Sequence, residues 1–185
     1  MTDVGARRQT HEMVTQYYSA SSLDGFIADP DNSLSWLLSR DIDQAGPQAY
    51  EPFIADVGAL CMGATTYQWL LDNAPDEWPY TVPCWVFTHR AFPETDRDIR
   101  FTAESVVEVH ARMVEAAGGR NVWVVGGGEL AGQFHDQGLL DEVWVQYAPV
   151  TLGGGAPLLP RRVELELVEC DRNRDFGCLR YRVAR

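Results

Sequence analysis

Three segments place polar or glycine residues at the end of an apolar run, where phosphate binding is common. The longest is VWVVGGGELAGQF, in which the glycines from Gly126 to Gly128 separate a strand-like run from a helix-like one. Glycines let the backbone approach a ligand, and a helix that begins there offers free N–H groups to an anion. The spacing is not G-x-G-x-x-G, so the Rossmann fingerprint does not apply. A tight turn without a ligand explains this segment, taken alone, equally well.

Two further segments repeat the pattern. In CMGATTYQWL, Gly63 precedes Thr65 and Thr66, and a threonine hydroxyl is expected to cap the helix that follows. In VFTHR, an apolar run ends in a hydroxyl, an imidazole and the guanidinium of Arg90. Arg90 alone is more simply explained as a solvated surface arginine. However, ligands of open α/β sheets bind outside the carboxyl ends of the strands, so three such ends together fit a dinucleotide.

The loop SLDGFIADPDNSLSW and the residues after it form a second candidate site. Asp24 stands in an Asp-Gly pair that is typical of a turn. Trp36 fits either a flat wall for a heteroaromatic ring or a core position. Asp41 and Asp43 fit either a buried acid that protonates a ring nitrogen or solvated helix caps.

A sheet with covering helices is needed to bring these segments together. Buried runs alternate with helical patterns, and Ser105 and Glu108 form a capping box at the clearest helix, which Gly118 ends. After the turn-rich TLGGGAPLLPR, two alternating runs indicate a closing hairpin. We therefore expect an α/β fold with a mainly parallel sheet flanked by helices and a C-terminal antiparallel hairpin. We assign residues 1–12 to a polar, disordered N-terminus and residues 13–185 to a single domain.

The composition excludes several functions. The 185 residues carry a net charge of −12, and all 15 basic residues are arginine. Without lysine there is no Schiff-base chemistry and no Walker lysine. The acidic balance argues against nucleic acid and anionic membranes as partners, and no apolar run approaches the ~20 residues of a spanning helix. The N-terminus lacks the apolar middle of a signal peptide, so we expect a cytoplasmic protein with a small-molecule substrate.

The histidines and cysteines predict no metal site. The four histidines are scattered singly, and the four cysteines form no C-x-x-C pair. Cys61 and Cys84 lie inside apolar runs and fit small buried hydrophobes. Cys170 and Cys178 flank the expected hairpin turn and could face each other, although the rest of the chain indicates reduced thiols.

The order of these motifs resembles the dihydrofolate-reductase-like superfamily. The motifs are SSLDGFIA with the following Trp36, then CMGATTY, VVGGGEL and YAPVTLGGGAPL. The resemblance spans residues 14 to 184 and is closest to the C-terminal reductase domain of the bifunctional riboflavin-biosynthesis deaminase–reductase and its stand-alone relatives. It implies an NADPH-dependent oxidoreductase that forms a homodimer.

The resemblance also implies roles for individual residues. Ala20, Ile27 and Trp36 would border the nicotinamide and the substrate, and Asp24 or Asp41 would supply the proton. The cofactor would be bound by residues at the three strand ends, namely Gly63, Thr65, Thr66, Thr88, His89, Arg90, Gly126, Gly127, Gly128, Glu129 and Leu130.

The implied reaction is hydride transfer to a small heterocycle of the pyrimidine or pterin type. Reduction of 5-amino-6-(5-phosphoribosylamino)uracil in riboflavin biosynthesis is the first expectation, and a dihydrofolate reductase-type activity is the second. Val125 stands where the riboflavin-type reductases have a glutamate before the paired glycines, and their substrate-phosphate pocket uses lysine. These differences leave open a non-catalytic protein that binds NADPH or a heterocycle.

Overall fold

In the computed structural model, apolar strands form one eight-stranded sheet, and amphipathic helices alternate with them along the chain. The structure describes residues 12–74 and 78–185. The expected disordered N-terminus lies outside these residues, except for Glu12. In chain order, the strands are β1 Thr15–Ser22, β2 Phe26–Ala28, β3 Val57–Gly63, β4 Cys84–Phe87, β5 Ile99–Thr102, β6 Asn121–Gly126, β7 Glu142–Ala148, β8 Ala156–Pro157, β9 Leu165–Asn173 and β10 Phe176–Val183. The helices are α1 Ser35–Leu38, α2 Tyr50–Ala55, α3 Ala64–Asn73, α4 Val106–Ala117 and α5 Gly128–Asp136.

The strand order confirms the expected fold class. The sheet runs β5-β4-β3-β6-β1-β7-β10-β9, and the six strands from β5 to β7 are all parallel. β10 pairs antiparallel with both β7 and β9. The short strands β2 and β8 form a separate antiparallel pair. Because the six parallel strands share one direction, their carboxyl ends meet at the same edge of the sheet.

Both faces of the sheet are covered, which explains why its central strands are apolar without alternation. On one face, Val109 and Met113 of α4 and Phe134 of α5 pack in one cluster that also contains Tyr17. Tyr18, the next residue along β1, lies in the cluster on the other face, where its ring stacks on that of Phe53 at 4.3 Å. Successive side chains of a strand point to opposite faces, so adjacent tyrosines serve both layers.

The capping box predicted for α4 is confirmed. The Ser105 hydroxyl accepts the N–H of Glu108, and the Glu108 carboxylate accepts the N–H of Ser105. Gly118 ends the helix in the left-handed conformation, with a φ of 60°. The helix therefore begins and ends where its sequence predicts, and its residues Val106, Val109, Met113 and Ala117 are buried.

Three short strands and one helix were not predicted. β5 was missed because its four residues form a half-exposed edge strand between charged residues, without a run of buried side chains. β2, α1 and β8 lie within segments that the sequence indicated only as loops. Helix α2 begins at Tyr50, three residues after Pro47. Among the described residues, no helix is both long and apolar enough to cross a membrane.

The alternative of a disulfide between Cys170 and Cys178 is wrong. Cys178 pairs with Asp171 in the hairpin register, whereas Cys170 pairs with Leu179. The two thiols therefore lie on opposite faces of the sheet, and Cys178 is buried while Cys170 is exposed. All four cysteines are free thiols, and within residues 12–74 and 78–185 no cluster of possible metal ligands occurs.

Candidate active-site cleft

A cleft of about 1640 Å³ lies along the carboxyl ends of five neighbouring parallel strands. It begins at the end of β5, where Thr102 and Glu104 contribute to its wall, and crosses β4, β3 and β6 to Ala20 on β1. Four strand spacings of about 4.8 Å make this edge about 19 Å long. Such a length suits an elongated ligand that lies across the strand ends.

The cleft unites the three strand ends that the sequence singled out. All eleven candidate cofactor-binding residues line it, as do two of the three candidate substrate-binding residues, Ala20 and Ile27. Three further candidates, Trp36, Asp24 and Asp41, do not line it. The phosphate-type segments thus form one site, whereas the expected acid and aromatic wall lie elsewhere.

The glycine turn between β6 and α5 is shaped by backbone that crosses it. A Cβ on Gly128 would lie 2.2 Å from the carbonyl oxygen of Leu158 and 2.3 Å from that of Pro157. Gly126 has a φ of 153°, and its peptide bond to Gly127 is cis. Glycine is therefore required at the first position of α5 and favoured at Gly126, and the backbone of the turn faces the cleft.

The two helices that begin at the cleft have no side-chain cap. Gly63 is the N-cap of α3 and Gly127 is the N-cap of α5, and neither helix has a side-chain capping hydrogen bond. The expectation that a threonine hydroxyl caps α3 is therefore wrong, because Thr65 and Thr66 lie inside the first turn. The first N–H groups of both helices and their positive dipole ends point toward an anion-binding position.

The β4 end supplies the arginine of the cleft. The backbone N–H of Arg90 donates to the Thr88 hydroxyl over 2.8 Å, and the N–H of Thr88 donates to the carbonyl of Thr102 over 2.8 Å. These bonds hold the turn after β4 against the end of β5, while the side chains of His89 and Arg90 remain exposed. A guanidinium at this position can pair with a phosphate at one end of the cleft.

Asp24, the first expected donor, lies outside the cleft lining and joins two loops. Its carboxylate accepts hydrogen bonds from the Ser22 hydroxyl at 2.6 Å and from the N–H groups of Leu152 and Gly153 at 3.0 and 2.7 Å. The hydroxyl bond first, and the bond from Leu152 next, lower the pKa of Asp24 from 3.8 to about 2. The carboxylate is therefore ionised at neutral pH in this structure.

Asp41 also lies away from the cleft, which corrects the second expected donor. Its carboxylate pairs with Arg174 at 3.0 Å, in the turn between β9 and β10. The residue is exposed. Helix α1 ends at Leu38, so Asp41 lies in the chain after the helix, beside the β9–β10 turn. Asp43, the remaining acid of this segment, accepts the N–H of Ala45 at 3.0 Å and closes a local turn.

Trp36 occupies a core position, the commoner alternative for a tryptophan. It packs in a third cluster with Ala148, Phe176 and Cys178, and its indole N–H donates to the carbonyl of Ser33 over 3.2 Å. Its neighbours Ser35 and Leu37 line the cleft instead.

Several cleft residues were missed by the sequence analysis. Trp69, Asp72 and Asn73 follow Thr65 and Thr66 at helical spacing, so the helical period alone could have placed them on the same face. No local signal indicated the others, which reach the cleft only through the fold. They include Asp31, Ser33, Leu34, Leu37, Leu38, Tyr80, Glu104 and Pro157.

Few side chains of the cleft have shifted pKa values. Burial raises the pKa of Tyr80, so its hydroxyl stays protonated at neutral pH. A bidentate hydrogen bond from Arg161 lowers the pKa of Glu129, which lies in the first turn of α5. Arg161 also pairs with Asp136 at 2.9 Å, so it braces this helix from outside the cleft lining.

Comparison with known proteins agrees with this architecture. The RibD C-terminal domain family matches residues 78–178. The uncharacterised protein YwjB of Bacillus subtilis is 31% identical over 167 residues, covering 90% of this chain and 94% of YwjB. A solved structure from Shewanella sp. PV-4, attributed to riboflavin biosynthesis, is 27% identical with a TM-score of 0.80, and the match covers 94% of this chain and 100% of that one.

A more distant structure shows how far the fold extends. Dihydrofolate reductase from Enterococcus faecalis, solved with NADP(H) and RAB-propyl, has a TM-score of 0.62 at 14% identity. That match covers 94% of this chain and 97% of the reductase, so it shows a shared fold. The sheet order, the glycine turn at the cleft and the matched residues lead to one conclusion: the chain belongs to the RibD C-terminal domain family.

Proposed function

We propose that the protein is an NADPH-dependent reductase of a small heterocyclic substrate of the pyrimidine or pterin type. The observation that carries this proposal is the convergence of three phosphate-type strand ends on one cleft. The family relationship supports a reductase, and a protein of the same fold has been solved with NADP(H). When bound, the nicotinamide would supply the hydride, and the protein would orient it against the acceptor carbon of the substrate.

The residues of the cleft fit a dinucleotide phosphate. The uncapped first turns of α3 and α5 would bind the pyrophosphate, with Thr65 and Thr66 beside it. Arg90, with Thr88 and His89, would hold the 2′-phosphate at the β4 end. The backbone of Pro157 and Leu158, which requires glycine at Gly128, holds this turn in position beside the cleft.

The nicotinamide and the substrate would meet beside β1. Ala20 and Ile27 lie at that end, and a Cβ on Gly127 would touch the Ile27 side chain at 3.8 Å. Since Asp24 and Asp41 face other partners, we infer that water in the cleft delivers the proton. Reduction of 5-amino-6-(5-phosphoribosylamino)uracil is the reference reaction, because it belongs to the riboflavin-type branch that the motifs resemble.

We also propose a homodimer in the cytoplasm. β9 is an edge strand of the sheet, and it exposes Leu165, Leu167 and Val168. An exposed apolar edge strand favours pairing with another chain, and a second copy offers the same edge. Light scattering that gives the mass of one chain would contradict the dimer.

The experiment is a titration with NADPH and, separately, NADH, followed by tryptophan fluorescence and thermal shift. We expect saturable micromolar binding of NADPH, weaker binding of NADH, and a loss of about tenfold or more in NADPH affinity for Arg90→Ala, because a charge-assisted pair is removed. Arg162→Ala is the control, since that side chain is 93% exposed and lies outside the cleft lining. Binding of neither nucleotide would contradict the proposal.

Two alternatives remain, each with its own readout. A dihydrofolate reductase-type activity would consume NADPH with dihydrofolate and not with the aminopyrimidine. A non-catalytic binding protein, suggested by Val125 and the absence of lysine, would bind NADPH without oxidising it in the presence of either compound.

A further inference from the structure

Three leucines and a tryptophan contribute apolar side chains to the cleft lining, and together they are called the apolar wall. Leu34, Leu37 and Leu38 come from α1 and the residue before it, and Trp69 comes from α3. Leu38 is 70% exposed, so its side chain is available to a ligand in the cleft. Ile27 continues this wall toward Gly127.

The charged side chains of the same region are acidic. Asp31 lies just before the α1 leucines, and Asp72 lies one helical turn beyond Trp69. Glu104 adds a third carboxylate to the cleft lining, after β5 at the end opposite Ala20. Among the described residues that line the cleft, Arg90 is the single arginine, and it lies at the β4 end, three strands away from Ala20.

From this arrangement we propose that the substrate is an uncharged heterocycle whose substituent packs against Leu34, Leu37, Leu38 and Trp69 and carries no phosphate. The inference rests on the proposed reductase function and narrows its substrate class. The ring chemistry is that of the family, but the group attached to the ring differs from that of the reference substrate.

The physical reason is the cost of a phosphate at this wall. A phosphate monoester carries between one and two negative charges at neutral pH. Placing it on apolar side chains removes its hydration without a compensating ion pair, and Asp31 and Asp72 repel it. Arg90 cannot serve the substrate as well, because the cofactor's 2′-phosphate would occupy it. An uncharged substituent avoids these costs and gains from burial of the leucines.

The test compares two compounds that differ in one group: 5-amino-6-(5-phosphoribosylamino)uracil and the same compound without its phosphate. We expect kcat/KM, measured by NADPH oxidation, to be higher for the phosphate-free compound by about tenfold or more. Equal values, or a preference for the phosphorylated compound, would overturn the inference. If neither compound is reduced, calorimetry with the NADP⁺-loaded protein decides the same question. Tighter binding of the phosphate-free compound supports the inference. Equal binding, tighter binding of the phosphorylated compound, or no binding of either compound overturns the inference.

A charge introduced into the wall provides an independent check. Leu38→Arg should raise kcat/KM, or affinity, for the phosphorylated compound by about tenfold and lower it for the phosphate-free compound, which loses an apolar contact. Leu167→Arg, which adds the same charge on exposed β9, should change neither. If Leu38→Arg brings no gain while NADPH binding persists, the result contradicts this substrate class but not the reductase function. Failure of the wild-type protein to bind NADPH would contradict the reductase function itself.

Discussion

The carboxylate of Asp24 accepts a hydrogen bond of 2.7 Å from the backbone N–H of Gly153, which lies 129 residues further along the chain. The neighbouring N–H of Leu152 donates to the same carboxylate. This clamp joins the loop after β1 to the glycine-rich loop before β8. Since β2 and β8 pair next to it and line the cleft, the clamp positions one wall of the candidate site.

Replacing Asp24 by Asn should lower Tm at neutral pH, because a carboxamide accepts these N–H bonds more weakly than a carboxylate. The pKa of Asp24 is lowered to about 2 in the folded protein, so its contribution to stability is fully present above the unfolded pKa of about 4. As pH falls through the folded pKa, that contribution is lost. Thermal unfolding of both proteins should therefore show a Tm difference that shrinks between about pH 4 and pH 2.

The same variant, Asp24→Asn, tests whether Asp24 donates the proton in the reaction. Turnover should fall only through the displaced wall, and the pH profile of kcat should keep its shape. An unchanged Tm together with complete loss of turnover at every pH would show instead that Asp24 donates the proton.

Gly128→Ala should disturb the cleft and the fold together. Its Cβ would lie within 2.3 Å of two carbonyl oxygens, those of Pro157 and Leu158, so β8 or α5 must move. Overpacking of this kind typically lowers the free energy of unfolding by about 1–3 kcal/mol, and NADPH affinity should fall as well. Urea unfolding and nucleotide titration would measure both effects.

Gly177→Ala is the matched control for that variant. Gly177 lies in β10 with nothing within 4 Å of an added Cβ, so stability should change by less than about 1 kcal/mol. Equal destabilisation by the two substitutions would mean that the crossing backbone does not determine the residue at Gly128.

The buried carboxylate of Glu142 should contribute more to stability than any surface pair. It accepts hydrogen bonds from Arg180 at 2.7 Å, from Trp144 at 2.9 Å and from Gln16 at 3.0 Å. Arg180→Ala would leave this carboxylate, which is 8% exposed, without its cation. We expect a loss of about 2–4 kcal/mol in the free energy of unfolding, measured by urea denaturation.

The control for that pair is Arg182→Ala, which removes an exposed ion pair with Glu166 at 3.7 Å and should cost less than about 1 kcal/mol.

Burial raises the pKa of Glu142, but the hydrogen bonds from Arg180, Gln16 and Trp144 outweigh it and lower the pKa below 4.5. The contribution is thus present above that pH and is lost as pH falls below it. A difference between Arg180→Ala and wild type that grows on acidification would contradict this assignment.

The positions of the cofactor candidates were predictable because each depends on a local pattern. A buried strand followed by glycine or hydroxyl residues and a helix places Gly63, Thr88 and Gly126 at strand ends, and parallel strands bring such ends to one edge. The C-terminal hairpin and the cap of α4 were likewise predictable, since turn residues and a capping box are signals of adjacent residues.

The roles of Asp24, Trp36 and Asp41 were not predictable in the same way. Each has a local pattern that fits two outcomes, and the outcome depends on a partner far along the chain. Asp24 bonds to the backbone of Gly153. Trp36 packs against Phe176, and Asp41 pairs with Arg174, so both contacts depend on the C-terminal hairpin lying beside β7.

By itself, therefore, the sequence determined the order of the longer strands and helices, the family resemblance and the residues at the strand ends, because propensity, period and caps act between neighbours. Only the tertiary structure decided which side chains face the cleft beyond those ends. The leucines of α1 and the carboxylate of Asp31 line the same cleft as α3, although their own segment indicated only a loop. That arrangement depends on contacts over more than a hundred residues, for which no local pattern exists.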